Sequence, residues 1–200
     1  MTTPQRVVAA TAGIALSVLA GCGTDSRPAQ TQPTADAMRR VSEQVAGFGD
    51  FPVFWNGDQA AGQPLDPTFD PTNDWRQATG GVTFLYGKTC TPDNGEDAGT
   101  CAYNVEIENE PLCSRYAAMT GGDWSYTHIG RYAAAVFGGT EPGSGFGWLE
   151  LYTKRTTVTV RASSARDARA VVARLRQANG DNGPPAPMSG RLANGKPTQC

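Results

Sequence analysis

The sequence predicts an α+β domain: a mostly antiparallel sheet of about five or six strands, with an N-terminal and a C-terminal helix packed on it and disulfides stabilising it. Three observations predict this fold. Amphipathic helical patterns stand at both ends of the domain, short β-rich runs separated by Gly/Pro-rich turns lie between them, and two cysteines flank one of those turns. Such an order of elements is typical of helices that cover one face of an antiparallel sheet.

The first predicted element is a helix over residues 36–48. Asp36 is a suitable N-cap, and Gly47 and Gly49 favour termination. The apolar residues at helical spacing are Met38, Val41, Val45 and Phe48.

Six runs between the helices are typical of strands, and Pro52 in the first implies an edge or a strand start. The last two predict a hairpin around Lys154 and Arg155, with Leu149, Leu151, Val158 and Val160 facing the core. A loop is predicted over residues 56–80, and a short helix is predicted over residues 111–119. The six runs are 51–55, 81–86, 103–108, 131–137, 146–153 and 156–162.

The last predicted element is a helix over residues 164–178. Ser164 is a suitable N-cap, Asp167 completes a start that resembles a capping box, and Asn179-Gly180 favours termination. Its apolar stripe consists of Ala168, Val171, Val172, Leu175 and Ala178.

The N-terminus has the layout of an export signal, predicted over residues 1–21. One positive charge, Arg6, precedes a modest apolar stretch that is shorter than the roughly 20 residues needed to span a bilayer. The stretch ends in Leu19-Ala20-Gly21-Cys22, which resembles the bacterial lipobox. This resemblance implies cleavage before Cys22 and attachment of acyl chains, such as palmitate, to that cysteine. Two chains already give stable membrane anchoring.

After the predicted cleavage the chain divides into a tether, one domain and a tail, and its composition argues against binding of nucleic acid. Residues 22–36 offer nothing to bury and predict a disordered tether, which spans roughly 20 Å as a random coil. The remaining chain divides into a single domain, 37–180, and a Pro/Gly-rich tail, 181–200. The mature chain loses only Arg6 from its charged residues and has a formal net charge of −3. Because nucleic-acid-binding proteins carry basic patches, we expect no nucleic-acid partner.

Four cysteines remain besides Cys22, and an even number in an exported chain indicates disulfides. Of the three possible pairings we favour Cys90 with Cys101 and Cys113 with Cys200. The first pair would close a turn-rich loop and stabilise the domain by about 3 kcal/mol. The second would hold the tail, which we expect to be held in no other way. A zinc site is the weaker alternative because the spacing Cys-x-x-Cys is absent.

Candidate catalytic residues are few. His128 is the only histidine, and a surface position is favoured over a catalytic one. Glu106, Glu108 and Glu110 alternate, so their side chains should share one face of a strand. Paired carboxylates about 5–10 Å apart are what glycoside hydrolysis requires. Alternating glutamates equally describe a strand with one solvated face, and we favour that interpretation.

Two further features have a functional and a structural interpretation. Oxygen-rich loops at 66–74 and 93–97 could serve calcium, although neither has EF-hand spacing and Asx turns explain the first. The numerous aromatic residues could form a ligand surface or simply the core, and we favour the core. These residues include Phe51, Phe54, Trp55, Trp75, Trp124, Tyr126, Phe146, Trp148 and Tyr152.

Several short segments together resemble a group of uncharacterised actinobacterial envelope proteins, over most of residues 48–176. The resemblance implies an exported actinobacterial protein with a disulfide region and brings no activity. The segments are Phe51-Pro52-Val53-Phe54-Trp55-Asn56-Gly57, Gly62-Gln63-Pro64-Leu65, Tyr86-Gly87, Cys101-Ala102, Pro111-Leu112-Cys113 and Leu149-Glu150-Leu151-Tyr152-Thr153.

The sequence therefore predicts a lipid-anchored protein on the extracytoplasmic face of the cell membrane. We expect a non-enzymatic module, without a cofactor or metal, that binds an envelope protein or ligand. The first alternative is a carboxylate-dependent hydrolase of envelope glycan that uses Glu106 and Glu108. The second is a structural cell-wall protein.

Overall fold

A computed structural model of the chain describes residues 32–72, 80–90, 101–112, 124–137, 147–188, 192–193 and 196–197, the last two ranges by their backbone alone. In chain order the elements are α1 (Ala35–Ala46), β1 (Phe54–Trp55), β2 (Gln59–Ala60), β3 (Gln63–Pro64), β4 (Val82–Cys90), β5 (Cys101–Pro111), β6 (Trp124–Ile129), β7 (Tyr132–Phe137), β8 (Gly147–Tyr152), β9 (Thr156–Ala162), α2 (Ala165–Val172), β10 (Arg176–Gln177), β11 (Leu192–Ala193) and β12 (Lys196–Pro197).

Six of these strands form one antiparallel sheet in the order β4-β5-β9-β8-β7-β6, which confirms the predicted mostly antiparallel sheet. Its membership differs from the prediction. The run 51–55 contributes only β1, which pairs with β10 outside the main sheet. The edge strand β6 was not predicted, although the aromatic residues Trp124 and Tyr126 alternate with polar ones.

The predicted hairpin around Lys154 and Arg155 is confirmed as β8–β9. Leu149 lies opposite Val160, Leu151 lies opposite Val158, and all four side chains are buried. They belong to the main apolar cluster, which also contains buried residues of α1 and α2. Burying one such side chain contributes about 2 kcal/mol, so this alternation fixes the register of the hairpin.

The helix starts show how local polar groups set the boundaries. In α1 the N-cap is Thr34, whose Oγ1 accepts a hydrogen bond from the Ala37 N–H at 3.2 Å. The predicted N-cap Asp36 lies instead in the first turn, where its charge suits the helix dipole. In α2 the predicted N-cap Ser164 is confirmed, since its Oγ accepts from the Asp167 N–H at 3.1 Å.

The predicted extent of the last helix, residues 164–178, was wrong because α2 ends at Val172. Leu175 is still buried, but the chain turns after the helix and Arg176 pairs with Trp55. The Ala178 N–H then donates to the Val53 carbonyl at 2.7 Å. Pairing with a distant segment therefore satisfies backbone groups that a longer helix would have satisfied locally.

The predicted helix over residues 111–119 was wrong at its start. Pro111 is the last residue of β5 and lies opposite Thr156, where a proline at a strand end loses no essential hydrogen bond. Leu112 follows in a turn, and residues 113–119 lie outside the described residues.

The described part of the tail is held by hydrogen bonds and packing, whereas we expected a disulfide alone to hold it. The Pro185 carbonyl accepts hydrogen bonds from Tyr132 Oη at 3.0 Å and from Arg131 Nη2 at 3.1 Å. The Lys154 N–H donates to the Ala186 carbonyl at 3.0 Å, and Met188 is buried. These contacts attach the tail to the β6–β7 and β8–β9 turns.

The predicted disulfide between Cys90 and Cys101 is confirmed, and the two residues lie directly opposite each other at the ends of β4 and β5. The pairing of Cys113 with Cys200 stays a prediction, since both residues lie outside the described part of the chain, as do Cys22 and the leader. Among the residues described, no helix has the length and apolar character needed to cross a bilayer.

We predict that Gly147→Ala destabilises the domain by about 2 kcal/mol, the range expected for an overpacked site. A Cβ at this position would lie 2.4 Å from the Ala165 N and 2.5 Å from the Ser164 carbonyl carbon, because the start of α2 packs directly on β8. Gly49→Ala is the control, since no heavy atom lies within 4 Å of its added Cβ. Urea denaturation of both variants measures the difference, and equal stabilities would contradict the close packing.

Candidate functional site: an acidic and aromatic sheet face

The main sheet has two faces of different chemistry. The first face carries the apolar cluster, with Val105, Ile107, Val158, Val160 and Leu149 from neighbouring strands. The other face, here called the second face, carries the residues that alternate with these. Among the described residues it carries glutamates, threonines, Arg161 and aromatic rings, together with small or apolar residues such as Ala135 and Leu85. Its central members are Glu106, Glu108, Glu110, Trp148, Glu150 and Arg161.

Four of the glutamates that the structure describes lie on the second face. Glu106, Glu108 and Glu110 follow one another along β5, as their alternation predicts. Glu150 comes from β8, and Thr159 lies between it and Glu108 in the register. Glu108, Glu110 and Glu150 are only 5%, 9% and 0% exposed, so the interpretation as a solvated strand face was wrong. The second face is a largely closed polar layer.

Arg161 is positively charged and links Glu106, Glu108 and Trp148 within this layer. Its Nη1 lies 2.9 Å from Glu106 Oε2, and its Nη2 lies 3.8 Å from Glu108 Oε2. Its guanidinium carbon lies 4.4 Å from the centroid of the Trp148 ring. The register explains the arrangement, because Arg161 lies opposite Glu106 on one neighbouring strand and Trp148 on the other. With side chains 17% and 19% exposed, Arg161 and Glu106 are partly accessible from solvent.

An aromatic cluster continues the second face toward the edge strand. The centroids of the Trp124 and Phe137 rings are 5.3 Å apart, and Trp148 lies 6.2 Å and 6.0 Å from them. The predicted aromatic residues thus divide into two groups. Phe51, Phe54 and Trp55 are buried in the main core, whereas Trp124, Tyr126 and Trp148 lie half-buried on the second face and Tyr152 is buried there; Trp75 and Phe146 lie outside the described residues.

The tail closes one end of the second face. Met188 packs there with Ala133, Ala135 and Tyr152, and Leu112 contacts the same group. The Thr157 Oγ1 also donates to the Leu112 carbonyl at 2.9 Å. The arrangement leaves the Arg161–Glu106–Trp148 group at the opposite end, where it combines oxygen acceptors, guanidinium donors and a ring. Such a set can bind hydroxyl or ammonium groups of a ligand.

His128 lies exposed on β6, opposite Ala133. This placement agrees with the surface position that we favoured for the histidine.

The first oxygen-rich loop is built from Asx turns, as expected. Asp66 Oδ1 accepts from the Thr68 N–H at 3.0 Å and from its hydroxyl at 2.6 Å, and Asp70 repeats the pattern with Thr72. In the described part of the chain, no group of three or more His, Cys, Asp or Glu residues could hold a metal ion. Asp74 and the second loop, 93–97, lie outside that part.

Asp66 also ties this loop to the β4–β5 hairpin. Its Oδ2 lies 3.2 Å from Lys88 Nζ and accepts from Tyr103 Oη at 3.0 Å. Burial alone would raise the pKa of the Asp66 carboxyl, but the hydrogen bonds from Thr68, Lys88 and Tyr103 outweigh burial, and the pKa lies below its ordinary value. Burial and the hydrogen bond to Asp66 raise the pKa of the Tyr103 hydroxyl.

We predict that Asp66→Asn lowers the free energy of unfolding by about 2 kcal/mol at neutral pH, because hydrogen bonds to a charged acceptor are lost. The pKa of Asp66 is lower in the folded than in the unfolded chain, where it is near 3.8. The ionised Asp66 carboxylate therefore stabilises the folded chain above about pH 3.8, and this stabilisation is lost as the pH falls through the pKa of Asp66 in the folded chain. Denaturation between about pH 2 and pH 7 should show the variant and wild type converging in acid.

The control for this experiment is Asp70→Asn, since Asp70 forms the same turn but is not bonded to Lys88 or Tyr103. A difference between Asp66→Asn and wild type that does not change with pH would contradict the assignment.

No protein-family profile, curated protein sequence or solved structure matches this chain.

Proposed function

We propose that this chain is a lipid-anchored protein of the extracytoplasmic membrane face, and that its second face binds an envelope ligand or partner without catalysing a reaction. We also propose that both helices cover the first face and that the chain belongs with the actinobacterial envelope proteins it resembles. The lipobox Leu19-Ala20-Gly21-Cys22 supports the anchor. One observation carries the binding proposal: Arg161 lies between the Glu106 carboxylate and the Trp148 ring in a partly accessible group.

The chemistry of that group defines the ligand class. Carboxylate oxygens accept hydrogen bonds from hydroxyl or ammonium groups, and a tryptophan ring packs on the apolar side of a sugar or on a cation. The ligand should therefore be rich in hydrogen-bond donors, as glycans and amino sugars are. The second face holds more glutamates than arginines among its described residues, which also disfavours an anionic ligand.

The anchor is tested by the intact mass of the protein purified from its own membrane. We expect a chain that begins at Cys22 and carries two or three acyl chains. A mass that matches an unmodified thiol at Cys22, or an intact leader, would overturn the anchor.

The binding site is tested by native mass spectrometry after gentle extraction from the same membrane. We expect a bound species that is lost from Trp148→Ala and Glu106→Gln. The control is Glu43→Gln, which removes an exposed carboxylate on α1. Recovery of the wild type without any bound species, or equal retention by all variants, would overturn the proposal.

The second candidate is a glycan hydrolase that uses Glu106 and Glu108. The observation that favours it is their position on one face beside a tryptophan. Against it, the Glu108 side chain is buried and only 5% exposed, so its carboxylate is hardly accessible to a substrate. Incubation with envelope glycan decides between the two: release of new reducing ends by the wild type, abolished in Glu108→Gln, would establish the hydrolase.

A further inference from the structure

A depression of about 190 Å³ lies at the end of the sheet, between the β8–β9 turn and the tail. Lys154 and Arg155 line one side, Pro184 lines the other, and Pro52 and Phe54 complete it. It lies apart from the Arg161–Glu106–Trp148 group, and its charged residues, Lys154, Arg155 and Asp181, give it a positive formal charge. It is small enough for a single polar group with part of its substituent rather than for a folded partner.

The backbone that carries the two cations is fixed. Thr153 Oγ1 donates to the Thr156 carbonyl at 2.7 Å and closes the turn, while the Lys154 N–H donates to Ala186 at 3.0 Å. Arg155 Nη2 donates to the Asp50 carbonyl at 3.0 Å, which uses one of the five guanidinium N–H donors. The turn is therefore positioned from three sides before any ligand arrives.

The two cations are available to an anion. Within the described residues, neither Lys154 nor Arg155 forms an ion pair within 4 Å, and both are exposed. The carboxylate in the depression belongs to Asp181, whose Oδ1 accepts from the Gly183 N–H at 3.0 Å and so serves its own turn.

We propose that this depression binds a phosphate group through Lys154 and Arg155. A lysine supplies a compact positive charge, and an arginine supplies paired donors that match phosphate oxygens. The apolar residues Pro52, Phe54 and Pro184 would contact the carbon substituent of a phosphate ester. Phosphate of this kind comes from two sources, a phospholipid headgroup or a soluble phosphate.

The lipid source rests on the proposed anchor, and the soluble source does not. A tether over residues 22–36 spans roughly 20 Å as a random coil, so an anchored domain would stay within reach of the headgroups. A basic turn beside a membrane is attracted to anionic lipid when it lies within about one Debye length of the membrane surface.

Amine labelling of the full-length protein tests the proposal, because the chain has three lysines. The native protein is reconstituted in phosphatidylcholine vesicles, in vesicles that also contain phosphatidylglycerol, and in phosphatidylcholine vesicles with added inorganic phosphate. We expect Lys154 to be labelled at least about threefold more slowly with one of the anionic probes, as charge-assisted hydrogen bonds form. Lys88, which is paired with Asp66, is the internal control and should not change.

The same labelling of two variants separates the site from general charge screening. Arg155→Gln should restore the labelling rate of Lys154, whereas Arg166→Gln, on the exposed side of α2, should leave the protection intact. Protection by phosphatidylglycerol alone identifies a headgroup, and protection by inorganic phosphate identifies a soluble source. An unchanged Lys154 rate with both probes, or equal slowing of Lys88, would overturn the site. The mass at Cys22 in the same samples reports separately on the anchor.

Discussion

Arg161→Met is expected to destabilise the domain by about 3 kcal/mol, the lower end of the range for removing one partner of a buried ion pair, because Glu108 is buried but Arg161 and Glu106 are partly exposed. Methionine keeps much of the side-chain volume, so the change removes the guanidinium rather than the packing. Glu106 and Glu108 would then remain in a largely closed layer without the cation that lies 2.9 Å and 3.8 Å from them. Chemical denaturation of the variant measures the loss.

A second variant keeps this prediction specific. If the loss comes from the carboxylates, then Glu106→Gln and Glu108→Gln in the Arg161→Met background should recover at least half of it, because neutral amides tolerate the same site. Arg169→Met, on the exposed surface of α2, is the matched control and should change stability by less than about 0.5 kcal/mol. A triple variant as unstable as the single one would show that Arg161 acts through packing on Trp148 instead.

The sequence predicted those parts of the fold in which local pattern and burial agree. The β8–β9 hairpin has strict alternation of apolar residues and a polar two-residue turn, and its register follows directly. The β1–β10 pair could not be predicted in this way, because it joins residues about 120 positions apart through two residues on each side. The end of α2 was also missed, because the apolar spacing continues to the buried Leu175 although the helix ends at Val172.

The candidate site was predicted only within one strand. The alternation of Glu106 and Glu108 placed both on one face, because strand side chains alternate. Their neighbours Arg161 and Trp148 come from β9 and β8. The order of these strands in the sheet differs from their order in the sequence, because β9 lies between β5 and β8. Strand order is set by packing of the whole sheet, so no local signal linked these residues or predicted that the glutamates would be buried.

Two asparagines, the half-buried Asn179 and the fully buried Asn109, are the clearest case of information that a local pattern lacks. Asn179 was assigned to a helix stop, yet its Oδ1 accepts from the Val53 N–H at 2.8 Å and its Nδ2 donates to the carbonyls of Phe48 and Phe51 at 2.8 Å. Asn109 likewise forms side-chain hydrogen bonds with the backbone N–H and carbonyl of Phe54. Together they hold an irregular segment against the sheet, where it would otherwise carry unsatisfied backbone groups.

Asn109→Leu is therefore expected to cost about 4 kcal/mol, which is large for a substitution that adds apolar surface to the core. Asn109 is fully buried, and its Oδ1 accepts from the Phe54 N–H at 2.8 Å. Its Nδ2 donates to the carbonyls of Phe54 at 3.0 Å and of Val82 at 3.3 Å. Each buried backbone group left without its partner costs about 1–3 kcal/mol, and leucine offers no replacement.

Asn104→Leu is the matched control, because Asn104 lies on the same strand but on the second face, and its Nδ2 donates to Oε1 of the half-buried Gln63 side chain at 3.1 Å rather than to a backbone group. It should cost less than about 1 kcal/mol. Hydrogen exchange gives a second readout, since the Phe54 amide should lose its protection in Asn109→Leu alone. Equal destabilisation by the two substitutions, with Phe54 still protected, would mean that the apolar packing of β1 holds the segment in place without its asparagine.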